Sequence, residues 1–331
     1  MTPPGGRRYV RISGKPFKIR TFSLIKSEHS FPPPHREVHD DQPPHLALRP
    51  LRSRCRNPPF VPSFLPPERL PKLTPEDVRK LVWEGGLPGA EGRRGKARAA
   101  SFEDLLERAL TQDLRGVRPA MRRTFRAFLK ELALRTAREL HIGEISVAVG
   151  VSDKTVKAWL RAAEEIGLIW RLEAYRAEPG TCPKLQLVRS PKIYFADTGL
   201  AAHLCGIRRP EDLAGPIHEE AFFETFVVNE IRKSWMNGET GINGATPPDA
   251  PPLCFLRDSH SGKRIELLIR ANGVLHPVGV RAHVAPRPDA AKDFAVLSDL
   301  PEPVGHGAVI CMCGHPYALS DTVTAHSILA I

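Results

Sequence analysis

The chain has 331 residues, a net charge of +11 and a pI near 9.6, enough sequence for two or three domains and a charge that favours an anionic partner, nucleic acid foremost. No apolar run approaches the ~18 residues of a membrane span, and the basic N-terminus lacks the unbroken apolar core of a secretory signal. The six cysteines are scattered, which fits reduced thiols better than a disulfide framework, so a membrane partner is excluded and a cytoplasmic setting is expected.

Residues 1–72 hold 15 of the 33 prolines, in runs such as Pro32-Pro33-Pro34 and Pro66-Pro67. Proline removes backbone donors and breaks helices, so this stretch is read as a disordered leader. Its His29, His35, His39 and His45 lack the cysteines or helical repeat that a metal site would need. A helical region, 73–137, follows. Thr74 is an N-cap with Pro75 at the first helical position, and Gly85-Gly86 end that helix. Ser101 is expected to cap a second helix with Phe102, Leu105, Leu106, Ala109 and Leu110 on one face. A third carries Met121, Phe125, Phe128, Leu129 and Leu132 on a stripe, opposite a solvated face of Arg122, Arg123, Arg126 and Lys130.

Residues 138–192 read as a winged helix-turn-helix. A short helix from about 143 to 149 meets a turn at Gly150-Val151, and Ser152 or Asp153 caps a second helix through Ile166. Ala148, Val151, Val156, Trp159 and Leu160 take the buried positions of the motif. A strand follows at 168–172, with Lys184 to Leu187 expected as its return partner. Lys154, Lys157 and Arg161 project from the second helix, where a DNA reader meets phosphates and base edges. Glu164 and Glu165 dilute that positive field, and such modules also serve as dimerisation or scaffold units.

The stretch "SPKIYFADTGLAAHL" (190–204) runs from a basic residue into an apolar strand ending on Asp197. Asp197 is either a metal ligand in a nucleotide site or the cap of the next helix. A nucleotide site needs a phosphate loop, and none of Gly14-Lys15, Gly95-Lys96 or Gly262-Lys263 has a glycine five positions earlier or a hydroxyl next to the lysine. Capping is therefore the expected role. Beyond it, 193–331 read as an α/β, more strictly α+β, sandwich. An amphipathic helix at 215–235 leads to strands at 253–258, 263–273 and 275–283, then a late helix and a strand at "GHGAVICMC". A magnesium-dependent nuclease of this topology would need clustered carboxylates and a lysine. Glu224 on the helix, Glu266 on the second strand and Arg281 on the third are the candidates, but Gly279 stands where the third strand's carboxylate is required. Cys311, Cys313 and His315 fall outside the usual zinc spacing.

Taken together these motifs resemble a widespread prokaryotic family of AAA-type ATP-binding proteins, which join a P-loop ATPase to a winged helix and a C-terminal domain of unknown function with a restriction-endonuclease-like fold. "SPKIYFADTGL" is similar to the family's Ser-Pro-Lys…Asp-Thr-Gly-Leu signature, "FFETFVVNEI" to its Phe-Glu-x-Phe-Val helix, "FLRD…KRIELLI" to its Arg-Asp…Glu-Val-Asp strands, and "EGGLPG" to its Gly-Gly-x-Pro turn. The resemblance spans roughly 73 to 315 and implies ATP- and magnesium-linked work on nucleic acid. This chain departs from it in several places. The leader stands where the ATPase is expected, Gly279-Val280-Arg281 replaces Glu-x-Lys, Glu266 replaces Asp, and "TQDL" replaces the usual Arg-Asp. The expectation is a non-enzymatic or degenerate relative that uses neither cofactor and binds double-stranded DNA or a protein partner. The alternatives are a weak metal-dependent nuclease and a structural module that assembles with an intact ATPase paralogue.

Overall fold

The computed structural model describes residues 9–12, 15–18, 59–63, 73–87, 90, 93, 95–113, 119–215, 217–236 and 251–331. Over these the protein is α+β, as expected from sequence. Most of the leader, including His29, His35, His39 and His45, lies outside the described residues. Within it, β1 (Tyr9–Ile12) and β2 (Lys15–Lys18) pair as an antiparallel hairpin. Residues 59–63, expected to be unpacked, are docked. Phe60 and Val61 lie against the core, Phe60 N donates to Ser234 Oγ at 3.0 Å, and Trp235 Nε1 donates to Phe60 O at 3.0 Å.

The first helix, α1 (Pro75–Glu84), begins on a reciprocal cap in which the Thr74 hydroxyl accepts from Asp77 N and the Asp77 carboxylate accepts from Thr74 N. The second, α2 (Gly95–Arg108), starts six residues before the expected Ser101 cap. Ala97, Arg98, Ala99 and Ala100 are good helix formers, and Ser101 Oγ donates back to Ala97 O from inside the helix. In α3 (Arg122–Leu134) the apolar stripe is buried as expected, with Phe125, Phe128, Leu129 and Leu132 fully covered.

Next come β3 (Arg138–Glu139), α4 (Ile142–Val149), α5 (Asp153–Glu165), β4 (Ile169–Leu172) and β5 (Lys192–Phe195), with an antiparallel sheet ordered β3-β5-β4. The return strand is therefore Lys192–Phe195, not Lys184 to Leu187, and the expected domain boundary at 192 falls on its first residue. The reason is tertiary. The 173–191 loop leaves this sheet and attaches to a second one, where Tyr175 N donates to Phe255 O, Val188 N to Arg257 O, and Gln186 N to the Asp258 carboxylate.

That second sheet is preceded by α6 (Thr198–Leu204) and α7 (Glu219–Met236). It contains β6 (Leu253–Arg257), β7 (Arg264–Ala271), β8 (Val274–Val280), β9 (Gly307–Cys311), β10 (Tyr317–Ser320) and β11 (Val323–Ser327), in the order β10-β11-β9-β8-β7-β6. β8, β9 and β11 run parallel to one another and the remaining pairs are antiparallel. The turn between β7 and β8 uses Asn272 and Gly273, both at positive φ (53° and 76°), as that dipeptide predicts. The late helix is a 3₁₀ run, Pro288–Asp299. Sequence reading missed β10 and β11. It also expected α7 to keep a polar face. Instead α7 is buried nearly all round, because it packs against β8 on one side and α1 and α6 on others.

Candidate functional site

Local sequence builds the helix-turn-helix directly. Gly150 ends α4 in the left-handed region (φ 73°), and the Ser152 hydroxyl accepts from Thr155 N at 3.2 Å to start α5. Val156, Trp159, Leu160 and Ala163 point inward, with Trp159 edge-on to Phe125 and Phe128. Their spacing turns Lys154, Lys157, Ala158 and Arg161 to solvent on the other face. None of the three cations has an ion-pair partner among the described residues. Glu164, expected to weaken their field, is drawn to the next strand, where its carboxylate accepts from Arg171 Nε and Nη2. Two expected core positions are corrected. Ala148 is exposed and Val151 only half-buried, because α4 begins at Ile142 and faces the core through Ile145 and Val149. That phase leaves Val147 84 % exposed.

The two expected acids, Glu266 and Glu224, lie on different elements and near enough for their charges to act on each other. Glu266 alternates along β7 with Leu267 and Ile269, which lie in the main core, so it points to the face covered by Phe294 of the 3₁₀ run. Its Oε1 accepts from Arg281 Nη1 at 2.8 Å and lies 3.5 Å from Arg264 Nε, while its buried Oε2 has no hydrogen-bond partner. Glu224 lies on α7 and accepts from Lys192 Nζ and Tyr194 Oη, both at 2.7 Å. Burial raises the Glu224 carboxyl above its ordinary range against the opposing pull of Lys192, and the Glu266 charge raises it further. The structure thus brings Glu266 to Arg281 and Glu224 to Lys192, and each acid is held by its own cation.

A divalent metal does not fit this arrangement. Oε1 of Glu266 accepts from Arg281, and Gly279 offers no carboxylate beside the orphaned Oε2, although a Cβ there would lie 3.7 Å from it. Among the described residues no group of three or more His, Cys, Asp or Glu side chains is arranged to hold a metal ion, and this includes Cys311, Cys313 and His315.

Asp197 has the capping role. It is buried, its Oδ1 accepts from Leu200 N at 2.8 Å, and its Oδ2 accepts from Gly86 N at 2.5 Å. The Gly-Gly turn after α1 and the Asp-Thr-Gly start of α6 therefore interlock. A Cβ on Gly85, which has φ 68°, would come within 2.5 Å of the Asp197 carboxylate, and one on Gly199 would collide with Glu84 O. Arg98 closes the knot. Its guanidinium stacks 3.6 Å over Trp83 and donates to Trp83 O, and burial lowers its pKa to about 10 even with Asp197 and Glu84 nearby.

A cleft of about 700 Å³ separates the helix-turn-helix from the mixed sheet. It is lined by Arg135, Arg138, His141 and Lys192 on one side and by Arg257 and Arg264 of the mixed sheet on the other. Sequence reading did not single out this cleft, because its residues come from separate segments.

Among the described residues no helix is long and apolar enough to cross a membrane. A domain of unknown function (DUF8612) matches residues 75–211, the stretch from α1 through α6 whose two ends meet at Asp197. No curated protein and no solved structure matches the chain. Neither an AAA-type, a winged-helix nor a restriction-endonuclease-like family accompanies that match, so over 75–211 the chain is similar to a domain of unknown function.

Proposed function

We propose that this protein is a non-enzymatic relative of the AAA-type ATP-binding family its motifs resemble, and that it binds double-stranded DNA through the exposed face of α5. The supporting observation is the row of Lys154, Lys157 and Arg161 in water, with Glu164 turned away toward Arg171. Such a face meets phosphates first and base edges second. The wing of an ordinary winged helix takes no part in this reading, because the 173–191 loop is engaged by β6. Binding would therefore rest on one helix and its flanking cations, with modest affinity and a steep dependence on salt.

The test is fluorescence anisotropy on labelled duplex DNA at ~50 and ~200 mM salt, across which several phosphate contacts cost orders of magnitude in affinity. Lys157→Glu/Arg161→Glu should abolish the binding. Binding indifferent to that pair would sink the proposal. A second reading has one observation in its favour: Val147 and Ala148 are exposed beside α5, an apolar spot that would suit a protein partner such as an intact ATPase paralogue. Co-purification with ATPase activity, lost in Val147→Asp, would favour that reading.

A further inference from the structure

We infer that the cleft between the helix-turn-helix and the mixed sheet is a second site, independent of α5, for a phosphate-bearing ligand of nucleotide size. A volume of about 700 Å³ suits one such ligand. The walls carry Arg135, Arg138, Lys192, Arg257 and Arg264 against Glu139, Glu144 and Glu224. Three of the cations are already engaged: Arg135 by Glu131, Arg257 by Glu139 at 2.7 Å, and Lys192 by Glu224 at 2.7 Å. Arg138 has no ion-pair partner among the described residues. Arg264 reaches only Glu266, at 3.5 Å, and its side chain is 67 % exposed. With Glu144 the one acid of the wall left unpaired among the described residues, the uncompensated charge is positive, and the exposed His141 ring adds a donor.

The backbone beneath Arg138 is an independent sign that the position is built. Ala137 holds φ 62°, a left-handed conformation that an alanine adopts only under constraint. The constraint is visible on both sides. Ala137 N donates to Ile193 O at 2.7 Å, and Thr136 Oγ1 meets Thr225 Oγ1 at 2.8 Å while accepting from Phe195 N. Strain held in this way concentrates at ligand-binding positions, and here it sets Arg138 on the cleft wall. The 67 % exposed Ile217 lies at the same cleft, offering apolar surface to a sugar or base.

The test is calorimetry on the full chain with two probes, deoxyadenosine triphosphate without divalent metal and a short oligothymidylate. At least one should bind, and Arg138→Glu/Arg264→Glu should weaken it about tenfold or more. Arg138→Gln, gentler on the fold, should give a smaller loss in the same direction. Lys157→Glu/Arg161→Glu should leave the probe's affinity unchanged, which separates this site from α5. Binding of the triphosphate alone assigns a free nucleotide, and binding of the oligomer alone assigns a strand. The inference is overturned if neither probe binds, if the cleft variants bind like the unmodified protein, or if the α5 variant loses the probe equally.

Discussion

On α5, Lys154, Lys157 and Arg161 stand in water without an ion-pair partner among the described residues, although Asp153 and Glu165 lie one turn from Lys157 and Arg161. Inside the second half, Glu224, Glu230 and Glu266 are held by Lys192, Lys233 and Arg281. The contrast follows from solvation. A buried carboxylate costs several kcal/mol unless a cation and hydrogen bonds accompany it, whereas an exposed lysine keeps its water. The buried pairs should therefore carry stability, and the exposed cations little of it. Stability and binding should respond to different residues.

The largest expected effect lies in the buried pairs. Arg281→Ala strands the Glu266 charge and should cost about 3–5 kcal/mol in urea unfolding, while Glu266→Gln/Arg281→Met, which removes both charges, should cost far less. If the two variants unfold alike, the contrast between the halves fails. Asp197→Ala should cost about 3 kcal/mol by the same measurement, because it orphans the buried N–H groups of Leu200 and Gly86 and removes a helix cap.

Asp258 sharpens the comparison through pH. Hydrogen bonds from the Ser261 hydroxyl, and then from the backbone amides of Gln186, Ser261 and His260, pull its carboxyl down to about 2. A depressed carboxyl contributes stability that is present above its unfolded value of about 3.9 and lost as pH falls from there toward about 2. The 173–191 loop should loosen across that window. Faster hydrogen exchange at the Gln186 amide would report it, and Asp258→Asn should reproduce it at neutral pH. Lys157→Glu/Arg161→Glu should change unfolding free energy by less than about 0.5 kcal/mol while removing duplex binding. Smallest of all, Ala137→Gly should raise stability by roughly 0.5 kcal/mol by relieving the left-handed backbone. A loss there would mean that the turn is not strained.

Local patterns were legible wherever one segment decided its own structure. The Thr74 cap, the α3 stripe, the Ser152 start of α5, the capping role of Asp197 and the Asn272-Gly273 turn each depend on residues within a few positions of one another. Patterns that depend on what packs from elsewhere were not. The return strand was placed at Lys184 to Leu187 because "AEPGTCP" reads as the turn before it, but β6 takes that loop and leaves Lys192–Phe195 to pair with β4. Helix α7 looked amphipathic because its acids punctuate an apolar run, but Lys192 and Lys233 allow Glu224 and Glu230 to be buried.

The sequence by itself determined the helices up to α7 and the caps at Thr74, Ser152 and Asp197, the helix-turn-helix with its outward cations, and the α+β class, because backbone caps, turns and apolar periodicity act over short range. Only the tertiary structure decided that Glu224 and Glu266 are each held by a separate cation, that the loop after β4 is engaged elsewhere, and that Arg138 and Arg264 face one cleft. Those outcomes depend on charges brought together from distant segments, and the free energy of burying a charge is settled by its neighbours in space.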